Sequence, residues 1–501
     1  MFIETELKLR IAPESLARLK RHALLKTHQA GRVVTRRLYS IYYDTPKLDL
    51  HRGQMALRLR RAGRKWLQTL KGGGSVEGGL HRRNEWEIPL SRAELDFSMP
   101  EWGEHLPSKW QGKLQPVFVT DFSRSSRMVD WQGALIEVCM DRGEVRTEQH
   151  SAPICELELE LKSGDPQPLF GLALAILEIV PFELEAVSKA ESGYRLLVGA
   201  VAQPVKGVAP DISRIDTLPR VLQTLIWSCL SHLQDNLYGA MWSDDAEYLH
   251  QTRVALRRLR VVLRMTEKIR ADGELSALCR EVAAMCVALG EIREWDVFIA
   301  QTIRPMCARM AGHGGLQALL AYSERQRNEC HVALRGESQS RDMQRLILRF
   351  SIWMNGAYWQ HQDAAPQTRD FAVYRLRQLS KRFARAARQL NTLDAARLHT
   401  MRILAKKLRY SAEFFSGLYG KKKSGSFLAS LGEVQEVLGK INDVAVAHRL
   451  LDESAADQTL SAHQEAIALA KGWIAHDLSR RFTSLHKAMR RFAKQPNFWG
   501  C

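Results

Sequence analysis

The sequence predicts a multidomain α+β protein, strand-rich in its N-terminal region and all-helical in its C-terminal one. Three observations carry this. The chain has 501 residues, too many for one ordinary domain. Its hydrophobic periodicity changes from two to between three and four near residue 200. Its charge changes at the same place: Lys+Arg number 29 against 26 Asp+Glu in residues 1–200, and 44 against 29 in the remainder. The boundaries expected are a domain at 1–203, a linker at 204–215 centred on Gln203-Pro204-Val205-Lys206-Gly207, and a helical domain at 216–501.

Composition narrows the class. With 45% hydrophobic and 26% charged residues the chain is globular. The net charge of +18 points to a polyanionic partner. The 8 Cys show no CxxC, which argues against a zinc ribbon or a disulfide framework. The charged, alternating N-terminus is unlike a signal peptide, and the longest apolar run, Leu169 to Leu177, is too short to span a bilayer. A cytoplasmic protein without membrane partners is expected.

Strands come first. Ile3 to Arg10, Met55 to Arg60, Asn84 to Ile88 and Glu156 to Lys162 alternate strictly. Gly and Pro clusters separate them, among them Asp44-Thr45-Pro46, Gly72-Gly73-Gly74 and Gly78-Gly79. Short helices are expected at Glu14–His22 and Gln167–Ile179. Residues two apart share a face. Glu4, Glu6, Lys8 and Arg10 therefore point one way, as do Arg58 with Arg60, and Glu156, Glu158 and Glu160 with Lys162. One such strand is most simply half of a solvated sheet. An acidic, a basic and a mixed stripe together suit a sheet closed on itself, with charges in the lumen and Leu outside under helices. Carboxylates two apart are hard-oxygen ligands for Mg²⁺ or Mn²⁺. Facing Lys and Arg hold phosphate oxygens. Metal beside cationic clamps is the equipment of phosphoryl transfer.

Nine elements in order resemble CYTH domains, the triphosphate tunnel metalloenzymes. Glu4-Thr5-Glu6-Leu7-Lys8 is similar to their ExExK signature. Tyr42-Tyr43-Asp44-Thr45-Pro46, Leu57-Arg58-Leu59-Arg60, Thr69-Leu70-Lys71, and Arg83 with Glu85 and Glu87 follow. Then come Thr120 to Arg124, Asp141 to Val145, Glu156 to Leu161, and Ser188 to Tyr194. The resemblance implies an antiparallel eight-stranded β-tunnel acting on triphosphates. It assigns metal to Glu4, Glu6, Glu158 and Glu160, and phosphate to Lys8, Arg58, Arg60, Lys71, Arg83, Arg124 and Lys189. Glu4, Glu6, Lys8 and Lys71 would be catalytic, with Glu85 and Glu87 positioning basic groups or water.

Helices follow, with apolar residues at three- and four-residue steps in Leu222–Asn236, Ala246–Ile269, Leu275–Leu289 and Ala396–Leu418. They contain a repeat. His250 to Arg260 parallels His399 to Arg409 at an offset of 149, and the same offset carries Leu289-Gly290 onto Leu438-Gly439. His250, Arg253, Arg257 and Arg260 form one stripe; His399, Arg402, Lys406 and Arg409 form its copy. A solvated face explains one stripe. Two copies, each led by His, suit a highly charged ligand. The pattern resembles the CHAD domain, which implies an all-α pair of four-helix bundles binding polyphosphate through these eight residues.

The two resemblances together imply a CYTH–CHAD inorganic triphosphatase that splits triphosphate to pyrophosphate and phosphate. Competing readings are a polyphosphate-binding module with a vestigial barrel, a thiamine triphosphatase, an adenylate cyclase and a nucleic-acid binder. No P-loop follows Gly72-Gly73-Gly74, and the absence of a nucleic-acid motif counts against the last reading.

Overall fold

The computed structural model describes residues 2–77, 80–98, 102, 106–215, 217–269, 271–359, 366–388 and 394–500. The expected Gly78-Gly79 turn lies outside them. The chain forms two compact units. One comprises residues 1–203 with 337–358, and the other 204–336 with 359–501. Helices of nine or more residues are numbered below.

In the first unit the strands are β1 (Phe2–Arg10), β2 (Gln29–Asp44), β3 (Met55–Ala62), β4 (Lys65–Glu77), β5 (Leu80–Leu90), β6 (Gln115–Trp131), β7 (Ala134–Arg146), β8 (Ser151–Ser163) and β9 (Glu183–Leu184). They are antiparallel, in the order β5-β4-β3-β2-β6-β7-β8-β1, and β1 pairs back onto β5. Eight strands thus close a barrel. The ninth, two residues long, adds to the expected count by pairing with Leu9 and Arg10 of β1. The β6–β7 hairpin turns at Gln132-Gly133, both at positive φ (51° and 81°), the backbone that a tight two-residue turn demands.

Alternation sets inside from outside. Leu7, Leu9, Val138, Leu157 and Leu159 are wholly buried on the outer face. There they pack with Leu16 and Leu19 of α1 (Pro13–Arg21) and with Leu169, Phe170, Ala173 and Ile176 of α2 (Gln167–Leu177). A third helix of this unit, α3 (Lys189–Leu197), lies against β6. Gly193 permits that approach, since a Cβ there would sit 2.2 Å from the Phe118 ring.

One helix of the first unit comes from far along the chain. The expected helical domain at 216–501 includes α8 (Glu337–Met354), but α8 packs on α2. Its Leu348 is fully buried in the apolar layer outside β1, β7 and β8. Gln344 accepts a hydrogen bond from the Leu184 amide at 3.0 Å. Arg345 pairs with Glu178 at 2.9 Å, and Gln167 donates to the Ile352 carbonyl at 3.3 Å. The reason is physical: the barrel's apolar exterior needs cover wherever in the sequence a suitable helix lies.

The second unit holds α4 (Leu218–Trp242), α5 (Ala246–Thr266), α6 (Gly273–Phe298), α7 (Gly314–Arg335), α9 (Thr368–Arg388), α10 (Ala395–Phe415), α11 (Lys421–Ala456) and α12 (Gln464–Ala493). Shifting both ends of α5 by 149 residues gives the ends of α10. Like packs on like: α5 on α10, α6 on α11, α7 on α12. Trp295, Phe298, Leu316 and Leu319 from one copy share a core with Val444, Leu450, Leu451 and Ile467 from the other. The arrangement differs from two separate bundles because each copy buries apolar stripes against its counterpart. Residues 204–215 are irregular. Asn236 of α4 holds them, accepting from the Val205 amide and donating to its carbonyl, both at 2.9 Å. Among the described residues no helix is long and apolar enough to cross a membrane.

Leu348→Ala should destabilise the first unit by about 2–5 kcal/mol, the usual cost of truncating a fully buried Leu. Hydrogen exchange in urea should show lost protection in β7 and β8 and unchanged protection in α11. Loss confined to the helical unit would show that α8 does not belong to the barrel core.

Candidate active site

The barrel lumen is a cavity of about 630 Å³. Glu4, Glu6, Lys8, Arg58, Arg60, Lys71, Glu85, Glu87, Arg124, Glu158, Glu160 and Lys189 all line it. Strand register produces this assembly. Across β1–β8, Glu6 faces Glu160 and Lys8 faces Glu158. Across β4–β5, Lys71 faces Glu85. Across β6–β7, Arg124 faces Asp141. Lys189 enters from the first turn of α3, which Ser188 caps by accepting from the Glu191 amide at 3.2 Å. Arg83 stands opposite Glu4 in register, but its side chain lies outside the described residues.

The charges fall into two groups. In the first, Glu158 is shared among three cations. Lys8 lies 2.7 Å away, Lys189 3.0 Å, and Arg124 forms a third contact. Lys189 also pairs with Asp141 at 2.7 Å and with Glu156. Arg124 grips Asp141 with two bonds of 2.8 and 2.6 Å. Burial opposes charge on Glu158, but Lys189, Lys8 and Arg124 outweigh it and hold its carboxyl well below the usual range. Burial likewise opposes charge on Lys8 and Arg124, yet Glu158 leads in holding both well above their usual values. The oxygens of Asp141, Glu156 and Glu158 come within 4.8 Å of one another, an acid count compatible with a metal ion. Here the Lys189 ammonium serves as their cation.

The second group lacks such balance. Lys71 pairs with Glu4 and sits 3.5 Å from Glu85. Arg58 reaches Glu85 only at 3.6 Å, and its buried Nε has no hydrogen-bond partner. Arg60 donates to the Ser40 hydroxyl at 3.1 Å. Burial, then the neighbouring Arg58, lower the Arg60 guanidinium to about 10, against the pull of Tyr42. On the acidic side, burial pushes the Glu160 carboxyl up. Lys162, 2.6 Å away, opposes this, while Glu4 and Glu137 add to it. Among the described residues Glu4, Glu6 and Glu160 each pair with a single ammonium, that of Lys71, Lys8 (3.0 Å) and Lys162 in turn, against three cations on Glu158. Carboxylates so grouped suit a divalent cation, and these three are the residues that could hold one. The expected ligand set also named Glu158, whose oxygens the structure commits to three protein cations.

Sequence reasoning placed Glu156 and Lys162 on the charged face of β8 but gave neither them nor Asp141 a role in the site. Asp141 and Glu156 stood inside quoted motifs without a role; the alternation of β7 and β8 was the signal for them. The resemblance named Lys189 of α3 as a phosphate contact; nothing in the sequence signals that its ammonium pairs with Asp141, Glu156 and Glu158.

In the helical unit, both stripes converge where α5 meets α10. Arg253 donates to the Cys286 carbonyl at 3.1 Å. Arg402 donates to Asn442 at 3.2 Å, and the His399 ring lies 3.2 Å from the same oxygen. Arg293, the counterpart of Asn442 at the 149-residue offset, stands close to His250. Burial, then Arg293, push that imidazole down to about 4. Burial, then Arg257, Arg402 and Arg253, lower the Lys406 ammonium to about 6, with Asp443 opposing. Arg409 is engaged by Glu413 at 2.8 Å, and Arg260 is exposed.

Residues 3–194 match the CYTH domain family and residues 224–452 the CHAD domain family. The chain therefore carries a CYTH domain followed by a CHAD domain. Over 204 residues it is 37% identical to an inorganic triphosphatase of Haemophilus influenzae, a stretch that covers 39% of this chain and 55% of that one. The chain thus spans about half the length of this relative. It is 25% identical over 411 residues to an uncharacterised protein of Mycobacterium tuberculosis, covering 75% and 76% of the two. The solved CHAD domain of Ricinus communis superposes with a TM-score of 0.48 at 28% identity, covering 59% of this chain and 96% of that one.

Lys189→Met should cost about 3–5 kcal/mol, the penalty for breaking a buried ion-pair network by removing one partner. Adding Glu156→Gln should recover part of it. Urea unfolding would measure both, and a loss under about 1 kcal/mol would refute the role of Lys189 as the cation of this cluster.

Proposed function

We propose that this CYTH–CHAD chain is an enzyme: its barrel hydrolyses inorganic triphosphate to pyrophosphate and phosphate with a divalent cation, Mg²⁺ or Mn²⁺, and its helical unit binds polyphosphate. One observation carries the first part. Arg58, Arg60 and Lys71, on the adjacent strands β3 and β4, share a lumen with Glu4, Glu6 and Glu160, and among the described residues Arg60 has no carboxylate in ion-pair contact while Arg58 reaches one only at 3.6 Å. A triphosphate laid along Arg58, Arg60 and Lys71 supplies the missing negative charge, and Arg guanidinium forks suit its paired oxygens. The likeness to the Haemophilus triphosphatase over this same region supports the substrate.

Glu4, Glu6 and Glu160 would hold the cation, which when bound draws charge from the phosphate oxygens. The protein's own part is positional. Lys8, Arg124 and Lys189 immobilise Glu158 and with it the wall formed by β1, β6 and β8. Burial strengthens each charge–phosphate contact relative to water.

Phosphate release from tripolyphosphate, ATP and thiamine triphosphate should favour tripolyphosphate and stop with chelator. Glu4→Gln and Arg60→Met should each lower kcat/KM at least about 100-fold, since each removes a charge made for the transferring phosphate. Wild-type rates in both variants, or full activity in chelator, would reject the reading.

The helical part predicts a pH dependence. In the free protein Lys406 titrates near 6, so it is largely neutral at pH 8. A polyanion beside it restores its charge, so that Lys406 takes up a proton on binding. Affinity should therefore rise as pH falls from 8 to 6, by at most about tenfold per pH unit for one linked proton. Titrations across that range should show the slope, and Lys406→Arg should flatten it. Equal wild-type affinity at pH 6 and pH 8 would contradict this account.

A further inference from the structure

The basic stripe of α5 does not stop at Arg260. Arg264 continues it four residues on, and Lys268 follows in the turn after the helix. From α9 come Arg375 and Arg382, seven residues apart and so on one face. From α10, which packs on both α5 and α9, comes Lys407. The repeat did not point to this cluster, and α9 carries no motif.

Most of these cations are exposed, which alone would mark a solvated face. Arg375 is different. It is only 7% exposed. One guanidinium nitrogen donates to Gln378 at 2.7 Å, and its buried Nε has no hydrogen-bond partner. Buried charges in proteins are ordinarily paired. The carboxylate at this end of α5 is Glu267, which Arg264 already engages at 2.8 Å. Lys407 is lowered by burial and then by Arg382, Arg260, Arg264 and Arg375, all of one sign. Arg375 leads in lowering Lys268, followed by burial and Arg382. Like charges gathered around an unsatisfied buried guanidinium make a site for an anion that the protein does not itself provide.

We propose that Arg264, Lys268, Arg375, Arg382 and Lys407 form a second phosphate subsite, so that the helical unit grips a polyphosphate at two places along α5. This rests on the polyphosphate reading above. Arg253 and Arg264 are eleven residues apart, about 16 Å of helix rise. A long polymer reaches both clusters; a triphosphate reaches one. The second contact is then intramolecular and raises affinity for long chains alone.

The test is a titration of the full-length protein with tripolyphosphate and with long-chain polyphosphate at several salt concentrations. The variants are Lys268→Ala/Arg382→Ala/Lys407→Ala and, for the first cluster, Arg257→Ala/Arg402→Ala. The triple variant should lose about tenfold or more in long-chain affinity. Its salt slope should fall by roughly one per lost phosphate contact, with tripolyphosphate binding unchanged. Its ligand-free melting temperature should match or exceed that of the wild type, because like charges have been removed. If the triple variant binds long chains as the wild type does while the double variant does not, the second subsite is overturned and the polyphosphate reading stands. If neither variant changes binding, that reading fails and the subsite with it. Lost affinity for single-stranded DNA with polyphosphate binding intact would overturn the subsite in favour of nucleic acid. A lowered melting temperature with binding lost at every chain length would mark these residues as structural.

Discussion

The barrel depends on how it neutralises Glu158. A carboxylate with only 5% exposure is tolerable inside a protein only with its oxygens fully engaged. Three cations engage them, from β1, β6 and α3. That one requirement ties the N-terminal strand to the middle of the barrel and to a helix 180 residues downstream. It also explains why α3 must press on β6 through Gly193, since Lys189 reaches the lumen only from there. The rigid side of the lumen is thus built from satisfied ion pairs. The opposite side, β3 and β4, keeps cations in excess. Balance in one half holds the shape, and the other half carries the imbalance on which the proposed function rests.

The same alternation that fills the lumen with charge puts Leu on the outside, and that exterior needs cover. The two helices nearest in sequence, α1 and α2, supply part of it. The rest comes from α8, whose apolar face joins the barrel's outer layer although its neighbours in sequence, α7 and α9, belong to the other unit. The barrel is therefore completed by residues from the second half of the chain, and a cut after residue 203 would leave Leu348's place in that layer empty.

Strands β1, β3, β5 and β8 and their faces were legible in the sequence because period-two alternation is a local property. So was the doubling of the helical half, although α5 and α10 each end three residues before the end expected, at Thr266 and Phe415. Two kinds of fact were not legible. The first is which element a helix packs against: α8 has the same three-to-four periodicity as its neighbours, and nothing local says that its apolar face meets α2. The second is the partner of a charge. Glu158 and Glu160 are two apart on one strand and look equivalent. Only the folded barrel brings Lys189 to one and leaves the other beside Glu4 and Glu137. The split of the carboxylates into those held by several cations and those held by one is a tertiary property.

The two units meet the same problem, concentrated charge, by different means. In the barrel both signs alternate around a closed wall, so most charges find partners across one strand. In the helical unit duplication brings a basic stripe against its own copy. A pseudo-twofold contact juxtaposes equivalent residues, so Arg253 and Arg257 meet Arg402 and Lys406, and repulsion is built into the interface. Where the copies have diverged, the change bears on that repulsion. Asn442 gives His399 and Arg402 a neutral acceptor where Arg293 sets a further cation beside His250. Stability alone would favour carboxylates at these positions. That like charges persist at the duplicated contact, and extend through Arg264 to a buried Arg375, is intelligible if an external polyanion completes the interface.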